Sequence, residues 1–153
     1  MKSLIFSALA LSVFSCNDAP FFVGDGEVPD DGWAYTDTII YQVDISDTTI
    51  HLDIGLNILH SSEFEYQNLY IQILTNFPDG KTLSQTLPLD FADHTGRWYG
   101  DCGKSSCKLF VILQENALFN QIGMHTFKIV QYMRVDPVIG ISAVDLILDR
   151  HEI

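Results

Sequence analysis

Residues 50–58 read Ile-His-Leu-Asp-Ile-Gly-Leu-Asn-Ile, and this stretch decides the fold. Aliphatic residues occupy every second position, and His, Asp, Gly and Asn stand between them. Because successive side chains of a β-strand point to opposite faces, this period of two indicates a strand with one buried and one solvated face. Antiparallel sheets show this pattern, whereas fully buried parallel strands are apolar on both faces.

The same alternation recurs on both sides of this stretch. Further strands are predicted over residues 39–45, 69–75, 82–89, 109–113, 127–134 and 144–148. Residues 77–81, Phe-Pro-Asp-Gly-Lys, carry the Pro and Gly of a turn that makes a hairpin of two of them. Only residues 115–121 are compatible with a helical turn. The pattern predicts an all-β, single-domain antiparallel β-sandwich, with either an immunoglobulin-like or a jelly-roll-like topology.

The first residues carry the features of an export signal. Met1-Lys2-Ser3 is positively charged, and the uncharged, mostly apolar run Leu4–Phe14 follows it. These eleven residues would span roughly 16 Å as a helix, which is too short for a hydrocarbon core of ~30 Å. A signal peptide over residues 1–15 is therefore predicted in preference to a spanning helix.

The apolar run ends in Val13-Phe14-Ser15-Cys16, which resembles a bacterial lipobox. This motif predicts cleavage before Cys16 and lipidation of that residue with a diacylglycerol and an acyl chain. Each buried methylene contributes ~0.8 kcal/mol, and more than one chain makes membrane anchoring stable. Ordinary secretion, with Cys16 as an unmodified or paired thiol, is the alternative.

An acidic, flexible tether is predicted over residues 16–32, between the lipidated cysteine and the sandwich. The segment carries Asp25, Glu27, Asp30 and Asp31 among prolines and glycines, and it shows no strand or helix period. The β-sandwich domain is expected to cover residues 33–153.

The charge balance narrows the choice of partners. The chain has 153 residues, 47% of them hydrophobic, and a formal net charge of −12 at neutral pH. Removal of a leader that contains Lys2 brings the net charge to −13. Phosphates repel such a surface, so nucleic acid is excluded as a partner, and anionic lipid headgroups are disfavoured. A basic patch on a protein partner is favoured.

Two further cysteines, Cys102 and Cys107, enclose a small loop. With Cys16 acylated, an even number of thiols remains in an oxidising compartment, which favours a disulfide between them. Closing so small a loop is worth about 2 kcal/mol. A metal knuckle is the alternative, but no neighbouring Cys or His pair completes four ligands.

The residues supply no convincing active site. The sequence has no Gly-rich phosphate loop, nucleophile elbow or His-Glu-x-x-His helix. The histidines are scattered and are expected to be solvated: His51, His60, His94, His125 and His151. A glycosidase pair drawn from Glu63, Glu65, Asp90 or Asp93 carries little weight, because acidic residues are abundant. Asp90, Asp93 and Asp101 do not match EF-hand spacing. We predict no catalytic residue, metal, cofactor or small-molecule substrate.

Aromatic residues give a candidate partner surface, which consists of Trp33, Tyr35, Arg97, Trp98 and Tyr99. Aromatic and Arg side chains contribute most of the binding free energy at protein interfaces when they are exposed. The alternative is that the two tryptophans close the ends of the sandwich core, and this alternative is preferred for both.

Several short motifs stand in the order and spacing of one lipoprotein family. They are Gly32-Trp33, Asp47-Thr48, Tyr66-x-Asn68-Leu69, Phe77-Pro78-x-Gly80, Thr86-Leu87, Gly96-Arg97-Trp98-Tyr99-Gly100, Gln131-x-Met133-Arg134 and Gly140-Ile141-x-x-Val144. On these residues the chain resembles the gliding-motility lipoprotein GldH family of Bacteroidota over nearly the whole mature domain. It departs from the family pattern at Leu59-His60, where the family tends to have Arg-Asn, and in its Cys102/Cys107 pair.

The resemblance implies a cell-envelope lipoprotein that surface gliding requires, without catalytic residues or a cofactor. We therefore predict a non-enzymatic accessory or assembly component of the gliding machinery associated with type IX secretion, lipid-anchored in the outer membrane. Its predicted partners are the membrane and other proteins of the gliding and secretion machinery. One alternative is a surface glycan-binding lipoprotein whose aromatic residues stack on sugar rings. A purely structural envelope spacer is another.

Overall fold

The computed structural model describes residues 19–152, so the predicted signal peptide and Cys16 lie outside the described residues. Nine strands form within this range: β1 Phe22–Gly24, β2 Ile39–Ile45, β3 His51–Ser61, β4 Asn68–Asn76, β5 Thr82–Asp90, β6 Asp101–Cys102, β7 Ser106–Leu118, β8 Gly123–Gln131 and β9 Ile141–Arg150. Over the same residues, no helix is long and apolar enough to cross a membrane.

The strands form two antiparallel sheets around one core, which confirms the predicted all-β sandwich. One sheet has the order β1-β9-β3-β7-β6, and the other has the order β2-β8-β4-β5. β4 pairs with β5 across a turn, and outside this pair β3 pairs with β7, β2 with β8 and β1 with β9. The chain is therefore one long antiparallel hairpin wrapped around the core, which is the jelly-roll topology. Of the two predicted topologies, the jelly roll is the one observed.

The core lies between the inner faces of the two sheets. Along β3, Leu52, Leu56 and Ile58 are fully buried, as the alternating sequence predicts. They belong to one hydrophobic cluster with Ile71 and Ile129 of the opposite sheet. Burying an aliphatic side chain of this size contributes ~1.5–3 kcal/mol. A one-residue slip would turn the whole apolar set outward, so this pattern fixes the register of the sheet.

The segment predicted to be a flexible tether is partly structured. Within it, β1 pairs with β9 and places Phe22 opposite Leu148. Val28 is buried, and its N–H donates to the Ser142 carbonyl at 3.1 Å. A strand of three residues is too short to show a period, which is why the sequence pattern misses it. The sandwich therefore begins at β1 rather than at Trp33.

The helical turn considered for residues 115–121 is replaced by the end of β7 and the loop that follows it. The pairing of β3 with β7 shifts in register beside Ile54, and Asn116 has a φ of 55°. Asn enters this left-handed region more readily than most residues. The Asn116 N–H donates to the Asp53 carboxylate at 2.7 Å, and this bond lowers the pKa of Asp53. The irregular stretch is a β-bulge, which bends the strand locally.

A disulfide joins Cys102 to Cys107 at the edge of the five-stranded sheet. The two residues are direct partners in the short ladder between β6 and β7, and their Cα atoms are 4.0 Å apart. Cys107 is fully buried, whereas Cys102 is exposed. The bond thus ties a two-residue edge strand to the side chain of a core residue.

Candidate partner-binding cleft

The five residues of the candidate partner surface do not share one surface, and Trp33 is not at a surface at all. Trp33 is fully buried, and its indole N–H donates to the Asp37 carbonyl at 2.7 Å. A side chain without exposed area cannot contact a partner, so the assignment of Trp33 to a partner surface is wrong. Trp33 closes the core instead, as the alternative prediction has it.

Trp98 belongs to a buried cluster that we call the aromatic box, formed by His60, Phe64, Phe91 and Trp98. The Trp98 ring lies edge-on to His60 with centroids 4.9 Å apart, and its indole N–H donates to the Ser62 carbonyl at 3.1 Å. Phe91 stacks on His60 at 4.8 Å, and Phe64 lies 5.9 Å from it. The half-buried Trp98 is therefore committed largely to packing.

His60, expected to be solvated, is fully buried at the centre of the aromatic box. Its Nδ1–H donates to the Ser61 carbonyl at 2.8 Å, and its Nε2 has no hydrogen-bond partner in the described part of the chain. Burial lowers the pKa of His60, and the bond to Ser61 offsets part of that effect. The neutral ring is therefore favoured, as packing among aromatic rings requires.

Arg97 and Tyr99 are exposed, but each has a different environment. The Arg97 side chain is 82% exposed and pairs with Asp93 at 3.3 Å. The Thr95 hydroxyl and then the Arg97 backbone N–H hold the pKa of Asp93 below its ordinary value. Tyr99 lies in a shallow groove beside Pro88 and Phe110. These two residues therefore do not form one site with Tyr35.

Tyr35 lines a concave surface that we call the tyrosine cleft. The cleft has a volume of about 1130 Å³ and lies where β4 begins and β8 ends. Its lining consists of Tyr35, Tyr66, Asn68, Tyr70, Thr86, Tyr132, Met133, Arg134 and Val135. Tyr35 is 46% exposed, Tyr70 41% and Tyr132 55%. Three large aromatic side chains thus present much of their area to solvent within one concavity.

A buried glutamine holds one wall of the cleft. Gln131, the last residue of β8, is fully buried. Its side-chain NH₂ donates to the Val135 carbonyl at 3.1 Å, and its side-chain oxygen accepts the Met133 N–H at 2.8 Å. The Tyr132 N–H donates to the Tyr70 carbonyl at 2.7 Å, which ties this loop to β4. The loop is therefore positioned by core hydrogen bonds before any partner binds.

Tyr35 belongs to the segment that Trp33 anchors, and it is fixed against the loop that follows β8. Trp33 and Val138 exchange backbone hydrogen bonds of 2.8 and 2.9 Å. The Tyr35 N–H donates to the Asp136 carboxylate at 2.8 Å, and its hydroxyl donates to the Met133 carbonyl at 2.6 Å. Tyr35 is therefore tied to the same loop to which Trp33 is bonded, so burial of Trp33 and placement of Tyr35 are coupled.

The lining of the cleft suits recognition of a partner. Aromatic, Met and Arg side chains are enriched at protein interfaces, and this cleft combines four tyrosines with Met133 and Arg134. Tyr supplies a large contact area with little loss of conformational entropy, together with a hydroxyl for hydrogen bonds. Although the whole chain is acidic, no Asp or Glu stands among the lining residues.

Most residues of the cleft were missed by the sequence prediction, which named only Tyr35. A signal was nevertheless present, because three of the short motifs meet here: Tyr66-x-Asn68-Leu69, Thr86-Leu87 and Gln131-x-Met133-Arg134. Tyr70 also occupies an outward position of a predicted strand, where a large aromatic residue would not be needed for packing. Their assembly depends on the pairing of β4 with β8, which the motifs alone do not reveal.

Within residues 19–152, no group of three or more His, Cys, Asp and Glu side chains is arranged to hold a metal ion. The Asp93 carboxylate already accepts bonds from its own loop, from the Thr95 N–H at 2.8 Å and the Arg97 N–H at 3.1 Å.

Comparisons with known proteins agree with the resemblance. The profile of the GldH lipoprotein family matches residues 24–147. A relative from Christiangramia forsetii, named gliding motility lipoprotein GldH homolog, is 31% identical over 122 residues, which cover 76% of this chain and 73% of the relative.

Solved structures give weaker likenesses. The VP2 subviral particle of infectious bursal disease virus is 16% identical with a TM-score of 0.37, and the match covers 96% of this chain and 37% of that one. An uncharacterized protein of Listeria monocytogenes is 14% identical with a TM-score of 0.32, over 80% of this chain and 10% of that one. This chain spans little more than a third of the viral protein, and likeness at this level says nothing about function.

The match to the family profile takes in the sandwich from the end of β1 to the middle of β9. The alignment with the relative covers about three quarters of each of the two chains, at an identity above 30%. The chain belongs to the GldH lipoprotein family.

Proposed function

We propose that this chain is a non-enzymatic lipoprotein that works as an accessory or assembly component of the gliding machinery associated with type IX secretion. Membership of the GldH lipoprotein family carries this proposal, since a relative bears the name of a gliding motility lipoprotein. The protein is anchored in the outer membrane through lipidated Cys16, and it contacts other proteins of the machinery.

The tyrosine cleft is the proposed contact site. Interface hot spots are enriched in Tyr and Arg and lie in well-packed concave positions that exclude water. Tyr35, Tyr132 and Arg134 are of these residue types and line a concave surface, and the core hydrogen bonds of Gln131 hold the cleft ready before binding. A preorganised site loses less conformational entropy on association, which favours affinity.

The start of the described chain indicates which face would turn toward the membrane. Ala19 lies in a groove on the outer face of the five-stranded sheet, beside Phe110, Ile112 and Ile147. Phe110 is 52% exposed and Ile112 44%. Cys16 is three residues upstream of Ala19 in the sequence. A lipid on Cys16 would bring this groove, in which the apolar side chains stand beside Asp53, Asp149 and Glu152, toward the membrane surface.

Affinity capture tests the proposal. The native lipidated protein is recovered from detergent-solubilised envelopes, and co-purifying proteins and the N-terminal peptide are identified by mass spectrometry. We expect proteins of the gliding or type IX machinery together with an acylated Cys16. Tyr132→Ala and Arg134→Ala should each reduce their recovery at least fivefold, because truncating a hot spot costs more than 1 kcal/mol of binding free energy.

A matched control separates the cleft from the rest of the surface. Met124, at the start of β8, is 47% exposed and lies outside the cleft lining. Met124→Ala should leave recovery unchanged, and the thermal midpoints of all three variants should stay within a few degrees of the parent. Equal recovery with all variants would reject the cleft as the contact site, and a solitary protein would reject the assembly role.

Binding of an envelope glycan is a second candidate, which the exposed tyrosines of the same cleft favour. Tyr35, Tyr70 and Tyr132 offer ring faces on which sugars can stack, and Asn68 and Thr86 add polar groups beside them. Calorimetry with a panel of envelope oligosaccharides tests this candidate. A saturable heat of binding for one oligosaccharide that is lost in Tyr70→Ala would support this candidate. The absence of a binding signal for every oligosaccharide of the panel would exclude it.

A further inference from the structure

An apolar crevice opens between the two sheets, at the end of the sandwich opposite the aromatic box. It lies between β4 and β5 of one sheet and β7 of the other, and its volume is about 400 Å³. Its aliphatic walls are Ile54, Ile73, Leu87, Leu113, Ile129 and Leu146. Small-molecule sites measure ~300–1,000 Å³ and are mostly apolar with a few polar groups. The crevice has the size and character of such a site.

The crevice is open because β5 is the edge of one sheet, and β7 of the other sheet is covered by β6 only at Cys107 and Lys108. Leu83 and Gln85 of β5 are paired with Thr75 and Ile73, both buried, so they belong to the inner face. Leu83 is nevertheless 46% exposed. The inner face of β7 contributes Ala117 to the lining, whose side chain is too small to close the gap. The sandwich therefore leaves part of its own core surface uncovered.

A buried histidine in the crevice lining has an unused hydrogen-bonding atom. His125, also expected to be solvated, is fully buried, and its Nδ1 lies 3.1 Å from the Gly123 carbonyl oxygen. Because a carbonyl only accepts, Nδ1 carries the hydrogen, and Nε2 of the neutral ring is then an acceptor. Nε2 has no partner. Buried polar atoms are nearly always paired, so this one calls for an explanation.

Two aromatic rings hold His125 in place beside the apolar walls. Phe119 and Phe77 meet its ring edge-on, with centroids 5.0 and 5.8 Å away. Among the residues that the structure describes, no Asp, Glu, Lys or Arg lines the crevice. A charged head group would therefore find no ionic partner in this lining. A neutral hydrogen-bond donor would pair with Nε2 after a small displacement of the rings around it, because this atom has no exposed area in the structure.

We propose that the crevice binds a single aliphatic chain ending in a neutral hydrogen-bond donor, such as the hydroxyl of a fatty alcohol. The chain lies against the aliphatic walls, and its O–H donates to His125 Nε2. This satisfies the unpaired nitrogen and covers the exposed inner face of β5. The site is separate from the tyrosine cleft and does not depend on the proposed function.

A matched pair of ligands tests the hydrogen bond. 1-Decanol and its methyl ether have the same chain, but only the alcohol carries a donor. Both compete with dansylated decylamine, an uncharged aliphatic probe followed by fluorescence, for the full chain carrying Cys16→Ser, which removes the acylatable thiol. The alcohol should bind about tenfold more tightly than the ether, because a site built around a hydrogen bond rejects the analogue that lacks it. In His125→Phe, which keeps the ring and loses the acceptor, the two should bind equally.

Further variants separate the crevice from the general surface. Ala117→Phe fills the crevice and should weaken both ligands at least twentyfold. If it fails to fold, Leu87→Phe at the half-buried lip makes the same test. Leu59→Ala, on the outer face of β3, should leave binding unchanged. The proposal is overturned if neither ligand binds saturably, if the parent does not distinguish them, or if His125→Phe keeps the preference.

Discussion

The two ends of the sandwich each contain a buried histidine, and the surroundings of the two histidines differ. At each end, a fully buried histidine donates Nδ1–H to a nearby backbone carbonyl and leaves Nε2 unpaired. His60 is enclosed by Phe64, Phe91 and Trp98. His125 lines a crevice that reaches the surface. The two histidines therefore make the same hydrogen bonds, but one lies in a closed core and the other beside an open cavity. The difference lies in the side chains that pack around each ring.

The tyrosine cleft lies at the closed end, directly beside the aromatic box. Phe64 of the box meets Tyr66 of the cleft edge-on at 5.6 Å. Trp33, fully buried, anchors the segment that carries Tyr35. The closed end thus supports a rigid surface for a partner, whereas the open end offers an internal cavity. The following predictions test this contrast.

Trp33→Ala should have the largest effect. Removing a fully buried indole costs ~3–5 kcal/mol, and the loss of its bond to the Asp37 carbonyl adds to this. Urea denaturation followed by circular dichroism measures the free energy of unfolding. Tyr35→Ala, which removes only a half-exposed ring of the same segment, serves as the control and should cost much less. Equal costs for the two variants would contradict the role of Trp33 as the anchor.

Replacing each histidine by alanine compares the two ends directly. His60→Ala leaves a hole in a box closed by rings, so we expect a loss of about 3 kcal/mol in the free energy of unfolding. His125→Ala enlarges a cavity that is already open, so a loss of about 1 kcal/mol is expected. The same urea titration gives both values. A larger loss for His125→Ala would mean that the crevice end is the more tightly packed one.

Removing the disulfide should destabilise the closed end moderately. The loop between Cys102 and Cys107 lies next to the box, since the Ser62 N–H donates to the Ser105 carbonyl at 3.0 Å. The double variant Cys102→Ala, Cys107→Ala should lose about 2 kcal/mol of unfolding free energy. Adding reductant to the parent should reproduce most of this loss and leave the double variant unaffected. A parent that reductant does not destabilise would show that the bond contributes nothing to stability.

Acidification should produce the smallest effect, again at the closed end. Burial lowers the pKa of His60, so near and below pH 6.5 the unfolded chain binds more protons than the native one at this site. The contribution of His60 to stability is therefore complete above that pH and declines as the pH falls. Asp53 and Asp93, whose pKa values are also lowered, act only in more acidic solution, near and below about pH 4.

His60→Phe isolates this contribution, because it keeps an aromatic ring in the box and removes the titrating group. Unfolding free energies measured between pH 7 and pH 5 should fall less steeply in the variant than in the parent. Parallel curves would show that His60 is not the group responsible.

Local patterns in the sequence were enough to predict the sandwich. The alternation in residues 50–58 specifies one buried face, and similar runs specify the other long strands. β1 was not predictable in this way, because its three residues are held only by partners more than 120 positions away in the chain. The burial of His60 and His125 depends on rings contributed by other loops, so the two residues could not be distinguished from solvated histidines by their neighbours in sequence.

The site was less predictable than the fold for a related reason. The sequence prediction chose aromatic residues that cluster along the chain, namely Trp33 with Tyr35 and Trp98 with Tyr99. The structure separates the members of each pair into a packed tryptophan and an exposed tyrosine. The cleft gathers Tyr70 and Tyr132, which are far apart in sequence and adjacent only through a ladder between β4 and β8.

Site-specific photo-crosslinking in intact envelopes tests the central claim most directly. A photoreactive residue replaces Tyr132 in the cleft or, as the matched control, Met124 at the other end of β8. We predict that position 132 gives crosslinks to a protein of the gliding or secretion machinery and that position 124 gives none. Crosslinks of equal yield at both positions, or none at position 132 in a folded and lipidated protein, would contradict the assignment of the tyrosine cleft as the docking site.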